Sequence, residues 1–125
     1  MSLRIGWAFL LVGLLSACGD SNSPSAPSTG SGSSGTSGTP VSIVSGASTL
    51  TTTAYSPNPL NVTVGTTVTW TNNDNTSHTS TANNGQWSSP LIGPGGQFST
   101  TFTSAGSFTY HCTIHPGMVG TVNVQ

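Results

Sequence analysis

The sequence predicts an all-β domain, an antiparallel β-sandwich, in residues 41–125. Three observations lead to this prediction. Apolar and polar residues alternate with a period of two in several short runs, clusters of Gly, Pro, Asn and Ser separate these runs, and no stretch shows helical periodicity. Several short strands at this spacing are typical of a β-sandwich with a single core.

Five strands are predicted from this alternation, and each is bounded by turn residues such as Gly65 and Gly106. The apolar residues that define the strands are, in chain order, Val62 and Val64; Val68 and Trp70; Phe98 and Phe102, within residues 97–103; Phe108, Tyr110 and Cys112; and Val122 and Val124. Because side chains alternate between the faces of a strand, Cys112 belongs to the buried face of Phe108 and Tyr110. His111 then points to the opposite face.

The N-terminal residues 1–17 have the pattern of a secretory signal peptide. A short, positively charged start ends at Arg4, an apolar run follows over residues 5–15, and small residues come next. The apolar run is shorter than the about 20 residues that a transmembrane helix needs. A signal peptide is therefore favoured over an N-terminal anchor helix.

The segment Leu15-Ser16-Ala17-Cys18 resembles the lipobox of bacterial lipoproteins. The resemblance implies that Cys18 carries a lipid and becomes the first residue of a protein anchored to a bacterial membrane, in the periplasm or at the cell surface. Ordinary secretion is the alternative, and the choice between inner and outer membrane stays open. Residues 18–40 are rich in Ser, Gly, Thr and Pro, which predicts a flexible linker.

Charged side chains are almost absent from residues 41–125, where Asp74 is the only Asp, Glu, Lys or Arg. Phosphate binding needs a basic patch, so a nucleic-acid partner is excluded. Asp74 lies in an Asn-Asp-Asn segment, which predicts a role in a turn. With Cys18 in the anchor, Cys112 has no partner for a disulfide, and a bound metal would protect its thiol in an oxidising compartment.

A Cys-x2-His-x2-Met motif is formed by Cys112, His115 and Met118, and a further imidazole, His78, lies upstream. Two His, one Cys and a weak axial Met are the ligand set of a trigonal copper site that transfers electrons. Each residue alone is as well explained by the core or the surface, but their combination predicts one copper ion that cycles between Cu(I) and Cu(II). His111 is expected to have a structural or surface role.

The chain resembles the cupredoxins, the type 1 blue copper proteins that include plastocyanin and amicyanin. The resemblance is carried by residues 110–122, whose short ligand loop is similar to the amicyanin type, and by residues 55–72. It implies a Greek-key sandwich with His78, Cys112 and His115 as equatorial ligands and Met118 as the axial one. It also implies supporting roles for Thr79, which would tie the two ligand loops together, and for Asn72.

The predicted function is one-electron transfer by a monomeric carrier, not an enzyme, which docks weakly with redox partner proteins around His115. A copper-delivery module without a dedicated redox partner would use the same ligands and is the main alternative. A fragment of a multicopper oxidase is disfavoured because the chain has only three His and no His-x-His pair. A metal-free structural sandwich is the remaining alternative.

Overall fold

A computed structural model describes residues 38–125. The predicted signal peptide, the lipidation site Cys18 and the linker up to residue 37 lie outside the described residues. Apart from one short 3₁₀ helix, the regular structure of residues 38–125 is entirely β. No helix in this part of the chain has the length and apolar character needed to cross a membrane.

Two four-stranded sheets make up the domain, and the all-β sandwich is confirmed. The strands are β1 (Thr39–Ile43), β2 (Tyr55–Ser56), β3 (Leu60–Val62), β4 (Thr67–Asn72), β5 (Thr81–Ala82), β6 (Gln97–Thr101), β7 (Gly106–His111) and β8 (Val119–Val124), and the 3₁₀ helix is Ala47–Thr49. The first sheet has the order β2-β1-β4-β6, and the second has the order β3-β8-β7-β5.

Each sheet contains one parallel pair of strands beside its antiparallel pairs. Strand β1 runs parallel to β4, and β3 runs parallel to β8. Residue alternation reports which face of a strand is buried but carries no information about the direction of its neighbours. The parallel pairs are therefore a feature that the antiparallel prediction missed.

The strands predicted around Trp70, Phe98, Tyr110 and Val122 are present as β4, β6, β7 and β8. Strand β6 ends at Thr101 rather than at residue 103, and β7 ends one residue before Cys112. The strand predicted from Val62 and Val64 is present as β3, but the prediction that it extends to Val64 was wrong, because β3 ends at Val62. A turn closed by the Thr66 N–H and the Thr63 carbonyl follows. Val64 is accordingly 49% exposed.

Three strands were not predicted, namely β1, β2 and β5. Strands β2 and β5 have two residues each, too few for an alternation pattern. Strand β1 begins at Thr39, inside the segment whose composition predicts a linker, because Thr39 and Pro40 pair with Val68 and Thr69 of β4. Strand β1 thus begins two residues before the predicted domain boundary.

Aromatic residues from both sheets fill the core. Trp70 on β4 meets Tyr110 on β7 edge to face, with ring centroids 5.4 Å apart, and Tyr55 contacts Tyr110 at 4.7 Å. The Tyr110 ring lies directly over the backbone of Gly120 on the neighbouring strand, where a Cβ atom would collide with it. This close approach explains the glycine at position 120.

Candidate metal centre

The four predicted ligands lie in two loops at one end of the sandwich. His78 is in the loop between β4 and β5, whereas Cys112, His115 and Met118 are in the loop between β7 and β8. The side chains of His78, Cys112 and Met118 are completely buried, and His115 is half-buried. The structure therefore brings together residues that are separated by more than thirty positions in the chain.

Three donor atoms form a compact triangle. The Sγ of Cys112 is 3.9 Å from the Nδ1 of His78 and 3.9 Å from the Nδ1 of His115, and the two nitrogens are 3.2 Å apart. Within residues 38–125, these three donor atoms lie close enough together to hold one metal ion. Both imidazoles present the same ring nitrogen, and each therefore keeps its Nε2 for another partner.

The triangle has the dimensions of a trigonal metal site. A point equidistant from the three donor atoms lies about 2.1 Å from each, which is within the roughly 2.0–2.3 Å range of metal–imidazole and metal–thiolate bonds. One thiolate and two imidazoles in such an arrangement suit copper. The residues present thus fit the metal that the sequence predicts.

Hydrogen bonds within the second loop hold Met118 between two other ligands. The Cys112 N–H donates to the Met118 carbonyl at 3.1 Å, and the Met118 N–H donates to the His115 carbonyl at 2.9 Å. The short spacing of the motif is therefore closed into a turn that leads directly into β8. Because Met118 is buried, the loop delivers its thioether to the interior rather than to solvent.

The backbone of His78 is fixed by Ile92, with which it exchanges two hydrogen bonds of 3.1 and 2.8 Å. The buried Asn72 supports the same loop, since its Nδ2 donates to the carbonyls of Thr76 and Ile92. Asn72 thus shapes the path of the chain to His78 through main-chain groups.

Thr79 connects the two ligand loops. Its Oγ1 accepts a 2.8 Å hydrogen bond from the Thr113 N–H, and its own N–H points at the Cys112 Sγ from 3.3 Å. The Tyr55 hydroxyl donates to the Thr79 carbonyl at 2.6 Å. Burial is the main cause that raises the pKa of Tyr55, and the nearby Cys112 raises it further. This hydroxyl therefore remains a donor. The N–H and the carbonyl of Thr79 thus each have a hydrogen-bond partner.

Asp74 has a role that the turn prediction missed. Its Oδ1 accepts hydrogen bonds from the N–H groups of Gly46 and Asn75, at 3.0 and 2.8 Å, which is turn chemistry. Its Oδ2, however, lies 2.8 Å from the Nε2 of His78. The hydrogen bond from Gly46 and then that from His78 lower the pKa of Asp74 to about 2, although desolvation opposes them. The sequence feature that could have indicated this contact is an acidic residue four positions before a predicted ligand.

His111 does not join the cluster of donor atoms. Its Nδ1 is hydrogen-bonded to the side chain of Asn83 on the outer surface of the second sheet. This placement agrees with the strand alternation that separates His111 from Cys112. One exposed apolar residue near His115 was not predicted, namely Ile114, which is 46% exposed.

Comparison with known proteins identifies the class that this fold and site define. The family model of the copper-binding proteins of the plastocyanin/azurin family matches residues 42–125. The chain therefore belongs to this family, and copper is its cofactor. The predicted resemblance to the cupredoxins is confirmed.

Individual relatives agree with this assignment. The chain is 37% identical to amicyanin of Paracoccus denitrificans in a 76-residue alignment that covers 57% of this chain and 58% of amicyanin. It thus spans just over half the length of that relative. A purple cupredoxin from Nitrosopumilus maritimus has a similar structure, with a TM-score of 0.65 and 36% identity, over 70% of this chain and 99% of that one.

An enzyme also contains a similar domain. The copper-containing nitrite reductase of Thermus scotoductus SA-01 matches with a TM-score of 0.59 and 28% identity, over 70% of this chain. The match covers 22% of the nitrite reductase chain. The likeness is thus to one part of a much larger protein.

Proposed function

We propose that the chain is a one-electron carrier with a type 1 copper site formed by His78, Cys112, His115 and Met118. The observation that carries this proposal is the triangle of the two Nδ1 atoms and the Cys112 Sγ, with sides of 3.2, 3.9 and 3.9 Å. Copper held there would alternate between Cu(II) and Cu(I), which soft sulfur and imidazole donors both accommodate.

The hydrogen bonds around the site favour a carrier over a delivery module. Backbone hydrogen bonds to Ile92 fix His78, and the Cys112 Sγ accepts a hydrogen bond from the Thr79 N–H. The side chains of both ligands are fully buried. Such a preorganised set of donors resists rearrangement when one electron is added or removed. Delivery of copper requires an acceptor to reach the ligands, and only His115 has an exposed edge.

Redox partners would dock around His115. Ile114 is 46% exposed, and Pro116 and Gly117 are exposed beside it, so the surface there is apolar and uncharged. This composition supports weak, transient docking of the kind that electron carriers use. The carrier would be monomeric.

The chain would work outside the cytoplasm. Residues 1–17 would direct export, Cys18 would carry the lipid, and residues 18–40 would tether residues 41–125 to a bacterial membrane. This part of the proposal rests on the sequence motif and on the linker composition.

Voltammetry of the copper-loaded protein tests the carrier function. We expect an intense visible thiolate-to-copper band, a reversible one-electron wave and fast self-exchange measured by NMR. A metal chelator at moderate excess should remove the copper slowly. Rapid loss of copper to the chelator together with a poorly reversible wave would favour copper delivery instead.

A further inference from the structure

The carboxylate of Asp74 is buried against the ligand His78. Asp74 is the only Asp, Glu, Lys or Arg in residues 41–125, and it is 6% exposed. Gly46 and Asn75 donate to Oδ1, and Oδ2 contacts the Nε2 of His78 at 2.8 Å. A domain that otherwise avoids charge thus places its one carboxylate beside the metal centre.

The two nitrogens of the His78 ring have different partners. Nδ1 faces the Sγ of Cys112 and the Nδ1 of His115, and Nε2 faces Asp74. If Nδ1 is the metal donor, Nε2 carries the proton and donates it in a hydrogen bond to the carboxylate. A partner of this kind fixes the tautomer and orientation of a ligand imidazole and raises its basicity.

We infer that Asp74 is a positioning residue that holds His78 and lowers the reduction potential of the copper site. This inference rests on the proposed copper site and extends it to a residue outside the ligand set. A more basic imidazole is a better donor to Cu(II) than to Cu(I), because the higher charge gains more from it. The oxidised form is therefore stabilised relative to the reduced form.

The charge balance of the buried site acts in the same direction. Cu(II), the Cys112 thiolate and the Asp74 carboxylate sum to zero, whereas the same groups with Cu(I) carry a net charge of minus one. No Lys or Arg lies in residues 41–125 to compensate it. An uncompensated charge in a buried environment is costly, so the carboxylate disfavours the form that has accepted an electron from a protein donor.

Voltammetry of copper-loaded Asp74→Asn tests the inference. Asn keeps an oxygen that can accept the Gly46 N–H but removes the charge. Loss of such an outer partner changes metal affinity by roughly 10- to 100-fold. If this loss falls on Cu(II), the reduction potential rises by about 60 to 120 mV, since a tenfold change corresponds to about 59 mV for one electron. The blue band should remain.

A double variant, Asp74→Asn with Asn75→Asp, separates the contact from the charge. Position 75 is exposed, so the double variant restores the net charge but not the contact with His78. A potential that stays raised supports the positioning role. A potential that returns to the wild-type value would mean that only the overall charge matters, and it would overturn the inference.

NMR of the wild-type Cu(I) protein gives a test that needs no substitution. With ¹⁵N-labelled histidine, we expect a slowly exchanging proton on the Nε2 of His78, and its absence would contradict the proposed hydrogen bond. A wild-type protein that binds no copper would overturn both the proposed function and this inference. A blue Asp74→Asn protein with an unchanged potential would overturn this inference alone.

Discussion

The N–H of Thr79 lies 3.3 Å from the Sγ of Cys112, although 33 positions separate the two residues in the chain. The Oγ1 of Thr79 also accepts a hydrogen bond from the Thr113 N–H. Thr79 therefore contacts the thiolate that would bind copper and the loop that carries it. A hydrogen bond to the ligand sulfur is one of the features that tune the reduction potential of such a site.

Replacing the thiolate should abolish the visible colour but not the fold. In Cys112→Ser, the copper–thiolate bond that produces the intense band cannot form. The sandwich is expected to remain because its core depends on the aromatic contacts of Trp70 and Tyr110. Absorption spectroscopy with added Cu(II), together with far-UV circular dichroism, measures both effects. A blue Cys112→Ser protein would show that the site is assigned wrongly.

The axial position should set the potential without being needed for the colour. Met118→Leu nearly conserves the volume of this fully buried side chain, so folding should change little. Loss of the weak sulfur donor disfavours Cu(II), and we expect the potential to rise by about 60 mV or more, a tenfold or larger change in relative affinity. An unchanged spectrum and potential would identify Met118 as a core residue only.

The anchor can be tested by fractionation of bacterial cells. We expect Cys18→Ala to move the processed protein from the membrane fraction to the soluble fraction, because the linker contains no apolar segment. Cys112→Ser is a matched control, since it removes the other cysteine and should leave the protein in the membrane fraction. Continued membrane association of processed Cys18→Ala would indicate a different anchor.

Docking should depend little on salt. Electrostatic steering needs clustered charge, and residues 41–125 have Asp74 alone, so the association rate with the redox partner should change little between low and physiological ionic strength. Stopped-flow kinetics across a salt series measures this. A steep decrease in rate with salt would contradict docking through the apolar surface.

The variant Gly117→Glu locates that surface. A Cβ atom at position 117 meets no atom within 4 Å, so the substitution should not unfold the loop. The added charge within the apolar surface should slow electron transfer. The control is Ser104→Glu, an exposed position at the opposite end of β7, which should transfer electrons at the wild-type rate. Equal effects of the two variants would argue against a docking site near His115.

The close approach of Tyr110 to Gly120 should be visible in stability. Gly120→Ala forces the buried ring to move, and overpacking of this kind costs about 1–3 kcal/mol. Urea unfolding of the copper-free protein measures the loss. Gly117→Ala is the matched control because that position has open space. Similar midpoints for Gly120→Ala and the wild type would show that the core accommodates a methyl group there.

The sequence by itself determined the strands around Trp70, Phe98, Tyr110 and Val122, because burial on one face of a strand is written directly in residue alternation. It also determined the donor types and their spacing, since Cys112, His115 and Met118 lie within one loop. The same alternation separated His111 from the site. These features depend on residues that are close together in the chain.

Only the tertiary structure decided the relationships between distant segments. The parallel pairing of β1 with β4, the two-residue strands β2 and β5, and the end of β3 at Val62 depend on neighbouring strands rather than on local pattern. The contact of Asp74 with His78 was hidden for a related reason. An Asn-Asp-Asn segment specifies a turn, but the direction in which the second carboxylate oxygen points is set by how the turn packs against the ligand loop.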